Sequence, residues 1–244
     1  MNVHDRHTLL SQCTCHAFLL CVVSFQTLEK IRPKEDTADF HFEVITPERY
    51  DEVYEIMRDH FVPDEPICHG THTVFDEDFK KLTHDNLKDH ISLAMISKEN
   101  NVMMGFRLSG FWKKTDPPAN FDWMKSKHTK DLFEFVTHRD NDFNCFEMYG
   151  VEEIFHFYAL GVRKEYRHHG LGDRLLSAAL DYAKELGFKA VKGEGTGNYS
   201  QHIYEKHGFD HILEMPYDSY ILNGEPIGTK TGEHRSCKIY GRKL

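Results

Sequence analysis

The sequence predicts an α/β fold built on one mixed sheet, and three observations carry that prediction. Residues 153–162 form an apolar strand that runs into a glycine-containing loop, a strongly patterned helix and a further strand at 188–192. Residues 91–96 and 102–108 are strand-like, and Lys98-Glu99-Asn100-Asn101 between them is turn chemistry, so the pair reads as a hairpin. Strands and helices alternate along the chain, the order that gives a mixed sheet covered by helices.

The elements follow in order. Residues 1–39 read as an N-terminal extension and linker. The apolar run at 17–25 is far shorter than the ~20 residues a membrane helix needs. It has no clean small-x-small cleavage site after it. It fits either a poorly ordered extension or a short helix packed on the domain. Residues 30–39 are charged and contain Pro33, which suggests a linker. One domain then spans 40–244. Residues 40–45 alternate as in a strand. Thr46-Pro47-Glu48 is a helix start, with a Thr N-cap, Pro at the first position and an acid in the first turn. That helix must end before Pro63. Residues 76–87 read as a second helix. Residues 111–150 are irregular and rich in aromatics, and 129–136 inside them are expected to be helical. From Asp173, Leu175, Leu176, Ala179, Leu180 and Ala183 fall at core spacing. Residues 193–197 read as a flexible turn, 199–207 as a short helix and 235–240 as the last strand.

Composition narrows the function. The 244 residues are 40% hydrophobic and carry a formal net charge of −9. No basic stripe of a nucleic-acid binder is present, and a negative field attracts a cationic amine. Six cysteines lack the paired spacing of a zinc site, so no metal is expected, and the pattern favours a reducing, cytoplasmic setting. His69-Gly70-Thr71-His72 and His168-His169 have no carboxylate or cysteine partner at metal-ligand spacing.

The chemistry concentrates in Arg167-His168-His169-Gly170-Leu171-Gly172. Gly170 and Gly172 let a bulky ligand approach the backbone. The helix that follows opens with unpaired N–H groups and a positive dipole end, which suits a phosphate. The loop also forms a basic island in an acidic chain. Downstream lies Asn198-Tyr199-Ser200-Gln201-His202-Ile203-Tyr204-Glu205-Lys206-His207-Gly208-Phe209.

Together these motifs resemble the GNAT-type N-acetyltransferase superfamily, strongly over 157–209 and more loosely over 40–244. The resemblance implies a mixed, mostly antiparallel twisted sheet whose splayed central strands hold acetyl-CoA, with the glycine loop on its pyrophosphate. It implies Asn198 on the pantetheine arm and Tyr204 near the thioester sulfur as the acid. Where the strands splay, Leu160 and Val162 are the candidates for free N–H groups that serve pantetheine and an oxyanion. Phe61-Val62-Pro63-Asp64-Glu65-Pro66 resembles the segment of insect-type arylalkylamine N-acetyltransferases in which the Glu of Asp-Glu-Pro is the base. That position is Glu65. Thr196 and Ser200 match assisting hydroxyl residues there, although the first is Ser in that pattern. His156-Phe157-Tyr158 resembles vertebrate arylalkylamine enzymes, which carry two His at those positions. Residues 156 and 158 share a strand face, so His156 competes with Glu65 as proton acceptor and Tyr158 lines the substrate side.

The expectation is therefore acetyl transfer from acetyl-CoA to a small primary amine by direct attack on the thioester, since neither motif contains a cysteine nucleophile. An arylalkylamine is the expected acceptor. A polyamine acceptor and a non-catalytic acyl-CoA-binding module are the alternatives. Trp112, Phe121, Trp123 and Tyr149 are candidates to wall an aromatic slot. No nucleic-acid or membrane partner is expected.

Overall fold

The computed structural model describes residues 15–244, with side chains described from Val22 onward. Residues 1–14, the first part of the predicted extension, lie outside the described residues. The strands are β1 (Phe40–Val44), β2 (Leu93–Ser97), β3 (Met103–Lys113), β4 (Glu153–Val162), β5 (Ala190–Gly195), β6 (Asp210–Pro216), β7 (Ile221–Leu222), β8 (Glu225–Pro226) and β9 (Ser236–Lys243). Seven of them form one sheet in the order β1-β2-β3-β4-β5-β9-β6, and β7 and β8 form a separate ribbon. Every neighbouring pair in the main sheet is antiparallel except β4 and β5.

The helices are α1 (Cys15–Glu35), α2 (Tyr50–Ile56), α3 (Pro66–Thr71), α4 (Glu77–Leu87), α5 (Lys127–Thr137), α6 (Cys145–Tyr149), α7 (Leu171–Glu185) and α8 (Asn198–Lys206). The apolar stripe of α7, Leu175, Leu176, Ala179, Leu180 and Ala183, packs with Phe40, Phe42, Phe155 and Phe157 of the sheet. The opposite face packs Val53 and Ile56 of α2, Phe79 of α4 and Leu132 and Phe135 of α5 against Ala94, Ile96, Phe106 and Leu108. Asp76 caps α4 by accepting from the Phe79 N–H at 2.9 Å.

Four local expectations are corrected. First, residues 30–35, read as linker, complete α1. Pro33 falls in the last turn, where it forgoes the hydrogen bond to the Glu29 carbonyl, and the helix stops two residues later. Ser24, Thr27, Leu28, Ile31 and Glu35 make one buried face at helical spacing. The Tyr182 hydroxyl donates to the Ser24 carbonyl at 3.2 Å, and Lys30 pairs with Glu185 at 3.6 Å. Charge here marks the outer face of a docked helix. Second, β3 runs on to Lys113, because the long β4 offers Phe155, Ile154 and Glu153 as partners for Phe111, Trp112 and Lys113.

Third, Gly193-Glu194-Gly195 is strand, not turn. It pairs with Tyr240, Ile239 and Lys238 of β9. A Cβ at Gly193 would collide with the Tyr204 hydroxyl, and one at Gly195 would lie 2.9 Å from Gln201 Cγ and Tyr240 Cε2. Those glycines serve close packing. Fourth, α7 starts at Leu171, two residues before Asp173. Gly170 adopts φ +72°, the left-handed conformation in which glycine carries no Cβ penalty. The helix begun at Pro47 does end before Pro63. Its α-helical part stops at Ile56 and a π turn follows at Met57–Phe61, while Pro63 sits inside a separate 3-10 turn at Val62–Asp64, near its start.

Candidate active site

The central strands part inside the sheet. β4 and β5 pair only at Phe155 with Val191, His156 with Lys192 and Phe157 with Gly193. Beyond that point β4 continues to Val162 against β3 alone. The Arg163 N–H donates to Met104 of β3 at 2.9 Å, whereas the Val162 carbonyl faces the other way and accepts from Arg167 Nε at 3.0 Å. Successive peptide groups alternate along a strand, so the N–H groups of Leu160 and Val162 point into the gap.

The glycine loop closes one end of that gap. His168 and Gly170 both have positive φ, which turns the chain so that α7 opens toward the loop. Gly170 is exposed, and a Cβ there would meet nothing within 4 Å, so its role is conformational. Gly172 differs. A Cβ there would lie 3.3 Å from Leu160 Cδ2 and 3.4 Å from Ile203 Cδ1, so it permits close packing of α7 on β4 and α8. Leu171 is buried beside it. The basic island is largely paired within the chain. Arg167 reaches Asp64 at 2.6 Å and the His60 carbonyl, and Arg163 reaches Glu55 at 2.5 Å. Arg167 thus braces the loop against the π turn, leaving His168 and His169 exposed.

α8 delivers the second motif. Ser200 Oγ donates to the Gly197 carbonyl at 2.9 Å and accepts from the Gly197 N–H at 3.2 Å, so it shapes the start of the helix. Asn198 is exposed, and its backbone N–H donates to His234 at 3.1 Å. The Thr196 carbonyl accepts from the Tyr217 hydroxyl at 2.5 Å. Tyr204 is 3% exposed and stacks on Tyr240 with centroids 5.1 Å apart. Its hydroxyl ends beside Gly193, where the strands part. Burial pushes the phenol up, and the Arg107 guanidinium partly opposes that.

On the other face of the sheet His156 sits in a buried polar cluster that also contains Lys192 and Glu194. His156 Nε2 lies 3.0 Å from Glu194 Oε2. A carboxylate only accepts, so Nε2 carries the proton, and in the neutral ring the lone pair is on Nδ1. Nδ1 is buried without a partner. Burial holds the imidazole below its ordinary pKa despite Glu194. Burial favours neutral Glu194, but Lys192 and His156 outweigh it and keep the carboxyl ionised below the usual range. Lys192 Nζ is 2.9 Å from Glu194 and 4.3 Å from the centroid of Trp112. Trp112 lies edge-on to His156 at 4.2 Å, and its Nε1 donates to the Tyr158 hydroxyl at 3.0 Å.

Asp89 approaches the same group. Its Oδ2 and the Tyr158 hydroxyl both lie about 3 Å from where a Gly110 Cβ would stand. Burial raises its carboxyl from 3.8 to about 6. The folded pKa therefore exceeds the unfolded one, so the associated stability is present below the unfolded value and is lost as pH rises through about 6. Asp89→Asn is expected to raise stability at pH 7.5 by about 2 kcal/mol at most, after allowance for partial solvation. That is a Tm gain of roughly 4–8 °C, shrinking toward pH 4. Thermal melts across that range check it; a gain independent of pH would contradict it.

Glu65 is 7% exposed, not a surface loop acid. One oxygen, Oε2, caps α3 by accepting from the Cys68 N–H at 2.6 Å, while Oε1 is buried without a partner. Pro66 packs toward Gly197, whose Cβ would lie 3.5 Å from Pro66 Cγ. Both Glu65 and Glu194 act on the buried Cys237 thiol, which burial pushes up. The two carboxylates therefore flank the same interior region.

The structure separates the four proposed aromatic wall residues. Trp112 joins His156 and Tyr158. Trp123 is 39% exposed under Lys81, Phe121 packs on Phe133, and Tyr149 donates to Asp210 at 3.4 Å. The sequence reading missed Arg107, Asp89, Lys192 and Glu194. A signal existed for the last two: charged residues two apart alternating with glycines next to an apolar strand. Among the described residues no group of three or more His, Cys, Asp or Glu could hold a metal ion. A surface recess of about 410 Å³, lined by Glu29, Arg32 and Lys98 among others, lies between α1 and the β2–β3 turn. It is a shallow polar surface remote from the chemistry.

The profile of the acetyltransferase (GNAT) family matches residues 50–209. The structure of arylalkylamine N-acetyltransferase 2 from Aedes aegypti is similar at 25% identity, covering 84% of this chain and 98% of that one, with a TM-score of 0.76. Mosquito arylalkylamine N-acetyltransferase like 5b is 23% identical over 84% of this chain and 100% of its own, with a TM-score of 0.75. A Drosophila melanogaster polyamine N-acetyltransferase that forms N-acetylagmatine is 17% identical over 84% and 100%, with a TM-score of 0.73.

Proposed function

The chain belongs to the acetyltransferase (GNAT) family, whose members use acetyl-CoA, and from that premise we propose that it transfers acetyl to an arylalkylamine such as dopamine, tyramine or serotonin. The carrying observation is the aromatic and acidic lining beside the parted strands: Trp112, His156 and Tyr158 in mutual ring or hydrogen-bond contact, with Asp89 and Glu194 next to them. An aryl ring has flat apolar partners there, and its ammonium has carboxylates to approach.

In this reading the acetyl-CoA pyrophosphate lies on the loop of His168, His169, Gly170, Leu171 and Gly172, braced by Arg167. Asn198 and the N–H groups of Leu160 and Val162 hold the pantetheine arm. One of those N–H groups stabilises the oxyanion. Glu65 takes a proton from the ammonium through its unpartnered oxygen. The free amine attacks the thioester carbonyl, the nitrogen of the tetrahedral intermediate gives up its second proton to solvent, and Tyr204 returns a proton to the departing thiolate. Ser200 holds the α8 entrance, Thr196 ties it to Tyr217, and His156 and Tyr158 line the acceptor side. Cys68, Cys145 and Cys237 are free and buried, which supports a reducing, cytoplasmic setting. No helix of the described residues is long and apolar enough to cross a membrane.

Thiol release from acetyl-CoA with a panel of amines tests the reading. Tyramine, dopamine or serotonin is expected to exceed spermidine and agmatine in kcat/KM. Trp112→Ala is expected to raise KM for the arylalkylamines up to about tenfold, from the loss of an aromatic contact worth roughly 0.5–1.5 kcal/mol. A preference for spermidine or agmatine that ignores the Trp112 change would make the protein a polyamine acetyltransferase.

A further inference from the structure

Arg107 lies inside the protein at 4% exposure, on β3 opposite Leu160 of β4. Its guanidinium reaches past β4. It covers the Phe157 ring at 4.3 Å and donates through Nη2 to the Tyr204 hydroxyl. Among the described residues no carboxylate forms an ion pair with it, and its Nε is buried without a partner. A desolvated cation without a counter-charge costs folding several kcal/mol in general. Fold stability therefore does not account for it.

We propose that Arg107 is a positioning residue for Tyr204, orienting the hydroxyl for proton donation and stabilising the phenolate that donation leaves. This rests on the reading of Tyr204 as the acid. A guanidinium has donors only. The Tyr204 oxygen must therefore accept from it, and among the described residues the Tyr204 proton meets no acceptor of its own. That proton is free to face the gap between β4 and β5. When the tetrahedral intermediate collapses, its oxyanion re-forms the carbonyl, the C–S bond breaks and the thiolate carries the electron pair. The Tyr204 O–H bond then breaks, its pair stays on oxygen and an S–H bond forms. The phenolate remains beside the guanidinium until solvent reprotonates it.

The other groups facing Tyr204 cannot do this. Glu194 of β5 and Cys237 of β9 both raise the phenol, as does burial. Tyr240 of β9 stacks on the ring, and Phe157 and Phe209 are apolar. Arg107 is the group among these that favours the ionised form.

The test is a double-mutant cycle with Arg107→Met, Tyr204→Phe and the pair, together with Arg107→Lys. Arg107→Met is expected to lower kcat roughly ten- to a hundredfold, the range for a hydrogen bond to a charged group. Acetyl-CoA affinity by calorimetry is expected to stay within about twofold of the parent, by the premise that Arg107 acts through Tyr204 rather than on the ligand. The basic limb of the pH–rate profile is expected to move to higher pH, because the phenol loses its cation. Arg107→Lys should recover part of the rate. In the Tyr204→Phe background Arg107→Met should cost less than about twofold further. An equal loss in both backgrounds overturns the proposal, as does a weakened acetyl-CoA affinity with unchanged kcat. A fully active Tyr204→Phe removes the acid reading itself, a different result from additivity. If Arg107→Met does not fold, Arg107→Lys in both backgrounds supplies the same cycle.

Discussion

Glu65→Gln is expected to lower kcat about 10²–10⁴-fold, the usual contribution of a general base, with acetyl-CoA affinity near that of the parent. The substitution is conservative in shape. Gln retains a carbonyl oxygen to accept from the Cys68 N–H, so the cap on α3 survives. What it removes is the basicity of the second oxygen, which is buried and unpartnered. The acidic limb of the pH–rate profile should disappear in the variant, because that limb reports protonation of the base. Turnover kinetics from pH 5 to 9 and calorimetry on the folded variant check this. If Glu65→Gln turns over like the parent and His156→Ala does not, the base is His156, acting through its free Nδ1.

Removing residues 1–33 is expected to destabilise the protein by roughly 5 kcal/mol. Leu28 and Ile31 are 3% and 5% exposed, and each buried aliphatic side chain contributes about 1.5–3 kcal/mol. The hydrogen bond from the Tyr182 hydroxyl to the Ser24 carbonyl would also be lost, a contribution of about 0.5–1.5 kcal/mol. The total is a large share of the ~5–15 kcal/mol available to a domain. Phe40, Phe42 and Leu180 belong to the same core and would meet water. A urea titration followed by circular dichroism measures the effect as a lower midpoint. A shortened chain with an unchanged midpoint and full turnover would show that α1 contributes nothing to the fold.

The part of the site that was legible in the sequence is continuous in the chain. Gly170 and Gly172 lie between the end of β4 and the first turn of α7. Asn198 and Tyr204 lie six residues apart on one short helix. Caps, glycines and apolar periodicity act between near neighbours, so they are written locally. Where local signals misled, a distant partner had overruled them. Gly193 and Gly195 have turn composition, yet β9 pairs with that segment. Residues 30–35 have linker composition, yet α7 receives them. Phe121 and Trp123 share an aromatic-rich stretch with Trp112, yet only Trp112 reaches His156.

By itself, the sequence determined the alternation of strands and helices, the glycine loop at the head of α7 and the family those motifs belong to. These depend on backbone conformation and on interactions within a few residues. Tertiary structure alone decided which polar groups lose water and what they meet. Arg107 and Tyr204 are 97 residues apart in the chain, and His156 and Glu194 are 38 apart. The free energy of an ionisable group depends on its desolvation and its nearest charges. Both are fixed only when β3, β4, β5 and α8 close around the same few ångströms.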